Sequence, residues 1–309
     1  MKSVINLLLT ISLFSSSVSS FAATKTCEPT KPIPAPVKEP MKPIKEVVEP
    51  EGNFPKEQFL KIAVISSKQK RGVTVTDKAQ VQKYKEDNIK ELESYIRKAS
   101  DNKANFIMAP EYAIAGYPNN DTYEYKTKDD AKYMVESVPG ATTEFFSRLA
   151  VELQVYLSIN MLENDAATGK FYNSQVVIDP SGKIIAKHRK YNLYQTESQF
   201  LTSGDENGTI VNTPWGRVGF LICADTYQIL LLHKYLGKVD HLFVSASWTQ
   251  NNAWKYFTAT AALTKTNYVV SNQHFNPDSG VINADGTEQS HIRQTEGIAY
   301  GYLKYKNRR

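Results

Sequence analysis

Apolar and polar positions along this chain switch repeatedly between a strand-like and a helix-like spacing. The β-branched apolar run at residues 60–66 (LKIAVIS) predicts a buried strand. After it, Asp77 stands three residues before Gln80, and Ile89, Leu92, Ile96 and Ala99 recur at three- and four-residue intervals, which predicts a capped helix with one face on a core. Residues 105–109 (NFIMA) read as the next strand, ending at Pro110 and Glu111. Residues 142–153 follow as an amphipathic helix and residues 155–162 as a strand. Turn chemistry at Asp179, Pro180, Ser181 and Gly182 divides residues 171–187 into a hairpin. Further on, residues 217–222 form a strand running into Cys223, 225–236 a helix, 240–245 a strand, 253–265 a helix and 268–271 a strand. Alternating strands and helices place the fold in the α/β class, and the lack of a repeat of about 20 to 50 residues sets solenoids and propellers aside.

Upstream the pattern is of another kind. Residues 1–22 carry a basic Lys2, an apolar stretch from Val4 to Phe14 and a small-residue ending at Ser20, Phe21 and Ala22. That is the three-part layout of a secretory signal peptide, so an exported product, periplasmic or extracellular, is expected. The stretch is short and Ser-rich for a retained span, and no later run approaches about 20 consecutive apolar residues, so no transmembrane segment is expected in the mature chain. Residues 23–58 read as a disordered linker: eight of the 14 prolines lie between Pro29 and Pro55, interleaved with Lys and Glu. Residues 59–309 are left as one folded domain, and a chain that is 41% apolar can give it a sizeable core.

The charge balance excludes more than it suggests. A net charge of +5 from 37 basic and 32 acidic residues is a mild excess that the linker lysines largely explain, so no nucleic-acid partner is expected. Of the two cysteines, Cys27 sits in the polar tail, where no folded geometry would hold it against a partner, and no structural disulfide is expected. The histidines His188, His233, His241, His274 and His291 show no metal-ligand spacing, so neither a metal nor a cofactor is expected. His274, near a strand end in SNQHF, is a candidate substrate contact.

Three ionisable residues share a position where sites collect in α/β folds, the end of a strand: Glu111, Lys190 and Cys223. Each alone has a bland reading, as a loop glutamate, a solvated basic run and a small core residue. Glu111, however, is planted beside Tyr112 and Ile114, where burial would raise its pKa toward a general-base range. Lys190 is followed by Tyr191, Leu193 and Tyr194, which would carry it into an aromatic pocket to face a developing oxyanion. A turn after Cys223 into a helix opening with Asp225 would place the sulfur at a positive helix end and favour thiolate. Among the aromatic residues near these positions, Tyr112, Tyr117, Tyr191, Tyr194 and Trp248, we single out Tyr117, Tyr194 and Trp248 as substrate contacts for a neutral or partly apolar acyl group.

Together the segments FIMAPEYAIAGYP, KHRKYNLY and GRVGFLICADTYQ resemble the nitrilase superfamily of carbon–nitrogen hydrolases, whose Glu-Lys-Cys triad falls in this chain order. The resemblance spans about residues 60–305. It implies a four-layer α-β-β-α sandwich, a small-molecule amide substrate and a homodimer or larger homo-oligomer. YNSQVVIDPSGKIIAKHRK is similar to the family's hairpin leading to the lysine, and Glu197 lies where amidase branches place a second, positioning glutamate. KYNLY with Glu197 and Phe200, CADTYQ, and SNQHFNPDSGVINADGT are more similar to the vanin and biotinidase branch, which cleaves amides of pantetheine or biotin conjugates. By this resemblance Glu111 would deprotonate Cys223, the sulfur would attack an amide carbonyl, and Lys190 would hold the oxyanion of an acyl-thioester pathway. An acyltransferase using the same triad, or an idle binding protein on the same fold, stays open. A papain-like enzyme would want its cysteine early, and a serine hydrolase would want a GxSxG elbow that is lacking.

Overall fold

The apolar runs become two β-sheets. The computed structural model describes residues 46–68, 77–120, 123–124, 127–248, 250–273, 278–293 and 296–306, all within one compact unit. The expected signal peptide, Cys27 and the candidate contact His274 lie outside these residues. In the seven-stranded sheet the spatial order is Glu46–Val48, Gly297–Lys304, Phe59–Ser66, Phe106–Met108, Tyr156–Asp165, Lys170–Ile178 and Ile184–Arg189. The six-stranded sheet runs Glu288–Ile292, Ser279–Ile282, Asn267–Asn272, His241–Ala246, Gly216–Ile222 and Ile210–Thr213. Each sheet has a parallel centre, Phe59–Ser66 with Phe106–Met108 and Tyr156–Asp165 in one, Gly216–Ile222 with His241–Ala246 and Asn267–Asn272 in the other.

Side-chain alternation explains the layering. Along Phe59–Ser66, Leu60, Ile62 and Val64 face Phe220, Phe243, Val269 and Val281 of the other sheet, whereas Ala63 and Ile65 face helices. The helices Lys78–Asp101 and Ala141–Leu153 cover the outer side of the first sheet through Ile89, Leu92, Ile96, Phe145 and Leu149. Ile229–Tyr235 and Ala253–Thr264 cover the second through Leu231, Tyr235, Phe257 and Ala261. Strands buried on both faces are mostly apolar on both, which is why they read as near-continuous runs rather than as alternating ones. The result is the expected α-β-β-α sandwich. Between the sheets Phe106 packs edge-on against Trp215 and Phe243 at centroid distances of 6.0 and 4.9 Å, contacts worth about 0.5–1.5 kcal/mol each beyond the area they bury.

Most element expectations hold within a residue or two. Asp77 caps the long helix by accepting from the Ala79 and Gln80 amides at 2.9 and 3.1 Å. The hairpin turn is closed by Asp179 Oδ1, which accepts from the Ser181 and Lys183 amides. Two expectations are corrected. Residues 225–236 are not one helix: a 3-10 turn, Cys223–Tyr227, precedes a short helix, Ile229–Tyr235. Gln228, extended at φ −84° and ψ 96°, breaks the path between them.

The stretch 23–58 is also not linker throughout. Glu46–Val48 pairs in parallel with Gly297–Ala299, covering what would otherwise be the open edge of Gly297–Lys304. Gly297 permits this approach, since a Cβ there would lie 2.3 Å from the Glu46 carbonyl oxygen. Composition could not report a strand whose partner lies some 250 residues away and whose contribution is backbone pairing.

Candidate functional site

The C-terminal strand ends of both sheets are tied together. Ser271 Oγ donates to the Ile65 carbonyl at 2.6 Å, and Ser245 Oγ lies 3.4 Å from the Ala109 carbonyl. Beyond these ends is a cleft of about 360 Å³, its mouth included, lined by Glu111, Tyr117, Lys190, Tyr194, Glu197, Cys223, Tyr227, Ser247, Trp248 and Gln250. Glu111, Lys190, Glu197 and Cys223, distant in sequence, thus meet in one cleft, and Tyr117, Tyr194 and Trp248 line it with them. Tyr112 stands behind it, donating to Glu197 and packing edge-on against Tyr117 at 5.6 Å. Tyr191 packs against the outer core of the second sheet instead.

Lys190 is the centre of the charge arrangement. It follows Ile184–Arg189, is 1% exposed, and its Nζ lies 2.9 Å from Glu111 Oε1 and 2.8 Å from Glu197 Oε2. Its loop runs close to the next segment: Gly204 donates its amide to the Lys190 carbonyl at 2.8 Å, and a Cβ on Gly204 would come within 2.1 Å of the Arg189 carbonyl oxygen. Burial alone would lower the lysine's pKa, but Glu111 and Glu197 outweigh it and hold the ammonium well above its usual range. Lys190 is therefore a fixed cation.

Glu111 is fully buried, and its two oxygens differ. Oε1 accepts from Lys190 and, at 2.8 Å, from Asn173 Nδ2. Oε2 makes no hydrogen bond with any described residue. Burial raises the Glu111 pKa above the ordinary carboxylate range, Lys190 opposing and Glu197 reinforcing the shift. Asn173 is aimed by Asn160, which donates to its Oδ1 at 2.7 Å and itself accepts from the Tyr112 amide at 2.8 Å. Glu197 sits in the turn Gln195–Gln199 and accepts from the Tyr194 amide at 2.7 Å, which fixes its carboxylate toward Lys190.

Cys223 follows Gly216–Ile222 directly and adopts φ +43°, a left-handed conformation that costs a non-glycine residue of order 1–3 kcal/mol and persists only where its surroundings impose it. Thr226 Oγ1 helps impose it by donating to the Cys223 carbonyl at 2.7 Å. Burial pushes the thiol well above its usual pKa, the neighbouring Glu111 adds to this, and Lys190 and the Ser247 backbone N–H pull the other way. The expectation of a thiolate-favouring helix start is thus corrected. The turn holds only five residues, and desolvation dominates, so the thiol form of Cys223 is favoured in the cleft it shares with Glu111.

Asn160, Asn173, Ser247, Tyr227 and Gln250 were not anticipated as site residues. The asparagines did leave a trace: each is a polar residue inside an otherwise buried strand, YLSINMLEND and KFYNSQVVI. Ser247, Tyr227 and Gln250 left none, being placed by strand and turn ends that only the assembled sheet defines. Together the site offers a thiol, a buried carboxylate with one oxygen unpaired among the described residues, and a buried cation, in a cleft walled by aromatic rings.

A family model described as carbon-nitrogen hydrolase matches residues 70–287. An aliphatic nitrilase from Sinorhizobium fredii (strain HH103) is 29% identical over 199 residues, covering 60% of this chain and 63% of that protein. An omega-amidase from Homo sapiens is 32% identical over 174 residues, covering 53% and 59%. The chain spans about three-fifths of the length of these curated relatives. Among solved structures, a branch 10 member of the nitrilase superfamily from Saccharomyces cerevisiae superposes with a TM-score of 0.66 at 19% identity, covering 80% of this chain and 90% of that one. An amidase from Nesterenkonia sp. superposes with a TM-score of 0.68 at 15% identity, covering 82% and 93%.

Proposed function

This chain belongs to the carbon–nitrogen hydrolase family, and from that premise we propose that it is a thiol amidase cleaving a small linear amide through an acyl-thioester on Cys223. The observation that carries the reading is the buried Glu111, its Oε2 unpartnered among the described residues, in a cleft shared with Cys223 and Lys190. Glu111 takes the proton from the Cys223 thiol as the sulfur bonds to the amide carbon. Lys190 Nζ lies within 3.0 Å of Glu111 Oε1 and of both Glu197 oxygens, and its fixed positive charge, beside a backbone N–H, stabilises the oxyanion. The C–N bond then breaks as Glu111 returns the proton to the departing amine. Glu111 next deprotonates water, which attacks the thioester and releases the acid, and the sulfur regains its proton.

The relatives above, a nitrilase and an omega-amidase, favour a small acyl group over the pantetheine or biotin conjugates that the vanin- and biotinidase-like motifs suggested. In the Nesterenkonia amidase, variants show covalent addition of the acetamide moiety of fluoroacetamide at the active site cysteine. A comparable adduct on Cys223 is the outcome to seek. Intact-mass spectrometry with a panel of small amides should show an acyl increment on Cys223, absent in Cys223→Ala. Amide turnover by the alanine variant would end the proposal, as would an increment on another residue.

We also propose export, on the layout of residues 1–22, which N-terminal sequencing of protein recovered outside the cytoplasm would test. A dimer or larger assembly is supported by the exposed Ile229 and Leu230 on the short helix after the thiol turn. Analytical ultracentrifugation would reject that assembly by showing a monomer at micromolar concentration.

A further inference from the structure

Behind the cleft, one buried carboxylate joins the two segments that deliver the sulfur and the ammonium. Asp225 is 0% exposed and accepts four hydrogen bonds. Its Oδ1 receives the Tyr191 amide at 3.0 Å and the Asn192 amide at 2.7 Å, immediately after Lys190. Its Oδ2 receives the Ile222 amide at 2.9 Å, immediately before Cys223, and faces His188 Nε2 at 3.1 Å. Asn192 closes the same junction from its side by donating Nδ2 to the Ala224 carbonyl at 2.7 Å. Because the other three partners of Asp225 are N–H donors and a carboxylate only accepts, the His188 Nε2 must carry a hydrogen. Nδ1 then faces the Thr209 hydroxyl at 3.2 Å. His188 is 1% exposed and lies on Ile184–Arg189, two residues before Lys190.

Neither His188 nor Asp225 lines the cleft. We propose that they are positioning residues: Asp225, oriented by His188, sets the Lys190 segment in register with the Cys223 turn, and so fixes where the oxyanion meets its cation. The inference rests on the thiol-amidase reading above. It follows from the connectivity, since Lys190 and Cys223 directly follow strands of different sheets and Asp225 grips the backbone next to each. Nucleophilic steps are steep in geometry, and a displacement of about 1 Å can cost on the order of 100-fold in rate. A register error should therefore appear in kcat, while the cleft walls that set binding are left in place.

Four variants test this. Asp225→Asn turns one acceptor into a donor facing other donors, and kcat is expected to fall on the order of 100-fold with KM within about threefold of the parent. His188→Leu removes the hydrogen bond that orients Asp225 and should lower kcat on the order of tenfold or more. His188→Gln keeps an N–H able to reach Asp225 and should recover most of that loss, whereas Thr209→Val should cost less than His188→Leu. A purely structural role predicts something else: equal loss of Tm in His188→Leu and His188→Gln, with kcat per folded molecule unchanged in both. That result overturns the proposal, as does a loss confined to KM.

Should Asp225→Asn fail to fold, the His188 pair still decides the matter. Should the unaltered protein acylate with no amide, it is the amidase reading that has failed, and the register is then read without activity. Hydrogen exchange must show the amides of residues 190–192 and 222–224 losing protection together in His188→Leu. Loosening of one segment alone overturns the proposal.

Discussion

Two ionic clusters meet at the strand Ile184–Arg189 and the residue that follows it, and they have opposite characters. Glu163, on Tyr156–Asp165, accepts from Lys187 Nζ at 2.5 Å, Arg189 Nη2 at 2.6 Å, Arg189 Nε at 2.9 Å and Ser174 Oγ at 2.6 Å. Both of its oxygens are used, cations outnumber it, and the lysine and arginine remain 30% and 25% exposed. Burial would raise its pKa, but the hydrogen bonds from Arg189, Lys187 and Ser174 prevail and lower it. At the cleft the ratio is reversed, with two buried carboxylates sharing one buried ammonium and an oxygen of Glu111 left over. The first arrangement is satisfied and holds strands together. The second raises the pKa of Glu111 through burial, the direction that the proposed general-base role needs. Side-chain alternation assigns Lys187 and Arg189 to one face of their strand, and the chain has left the strand when it delivers Lys190 to the cleft.

The widest separation between the clusters should come from the sulfur. Cys223→Ala is expected to lower amide turnover by on the order of 10³-fold or more while Tm stays within a few degrees, because alanine fits the same space. Activity within tenfold of the parent would dissolve the distinction. Next, Glu111→Gln should reduce kcat by about 10²–10⁴-fold. Glu163→Gln should leave kcat within about threefold and cost roughly 1–3 kcal/mol of stability, read by urea unfolding. If the two substitutions had the same profile, the contrast would be wrong. Lys190→Ala should cost on the order of 100-fold in kcat, with a stability loss from two carboxylates left without their cation. Lys187→Ala should change kcat by less than about threefold, since its pair with Glu163 is partly solvated.

The smallest effect is in pH dependence, and its sign differs between the clusters. Glu111 is raised, so the folded state binds the extra proton, and its contribution is present at low pH and declines as pH climbs above the ordinary carboxylate value of 4.5 toward the raised one. Glu163 is lowered, so its contribution is present above 4.5 and is lost as pH falls through its folded-state value. Stability–pH curves of Glu111→Gln and Glu163→Gln, each subtracted from the parent's, should therefore slope oppositely. The acid limb of kcat/KM should also lie above the ordinary carboxylate range, because Glu111 must be ionised to act as a base.

Much of the molecule was legible before any coordinates. Runs such as LKIAVIS and RVGFLI are long enough and β-branched enough to be strands in almost any context, and the helix at Lys78–Asp101 carries its own cap and its own apolar face. That Glu111, Lys190 and Cys223 would come to one cleft was legible for a related reason, since each follows a strand whose end the pattern marks. What failed was local in appearance and distant in cause. The 3-10 turn at Cys223–Tyr227 reads as a helix start because nothing in CADTYQ says that Asp225 will be gripped by the amides of Tyr191 and Asn192. The strand Glu46–Val48 hides among prolines because its bonds are to Gly297–Ala299.

Sequence by itself determined the alternation of elements, the identity of the thiol, carboxylate and ammonium, and the family they belong to, because these depend on residue types and short periods. Tertiary structure alone decided the directions of the pKa shifts and the register. Burial and the count of donors around an oxygen come from segments far apart in the chain, and desolvation acts only once those segments have closed around the group.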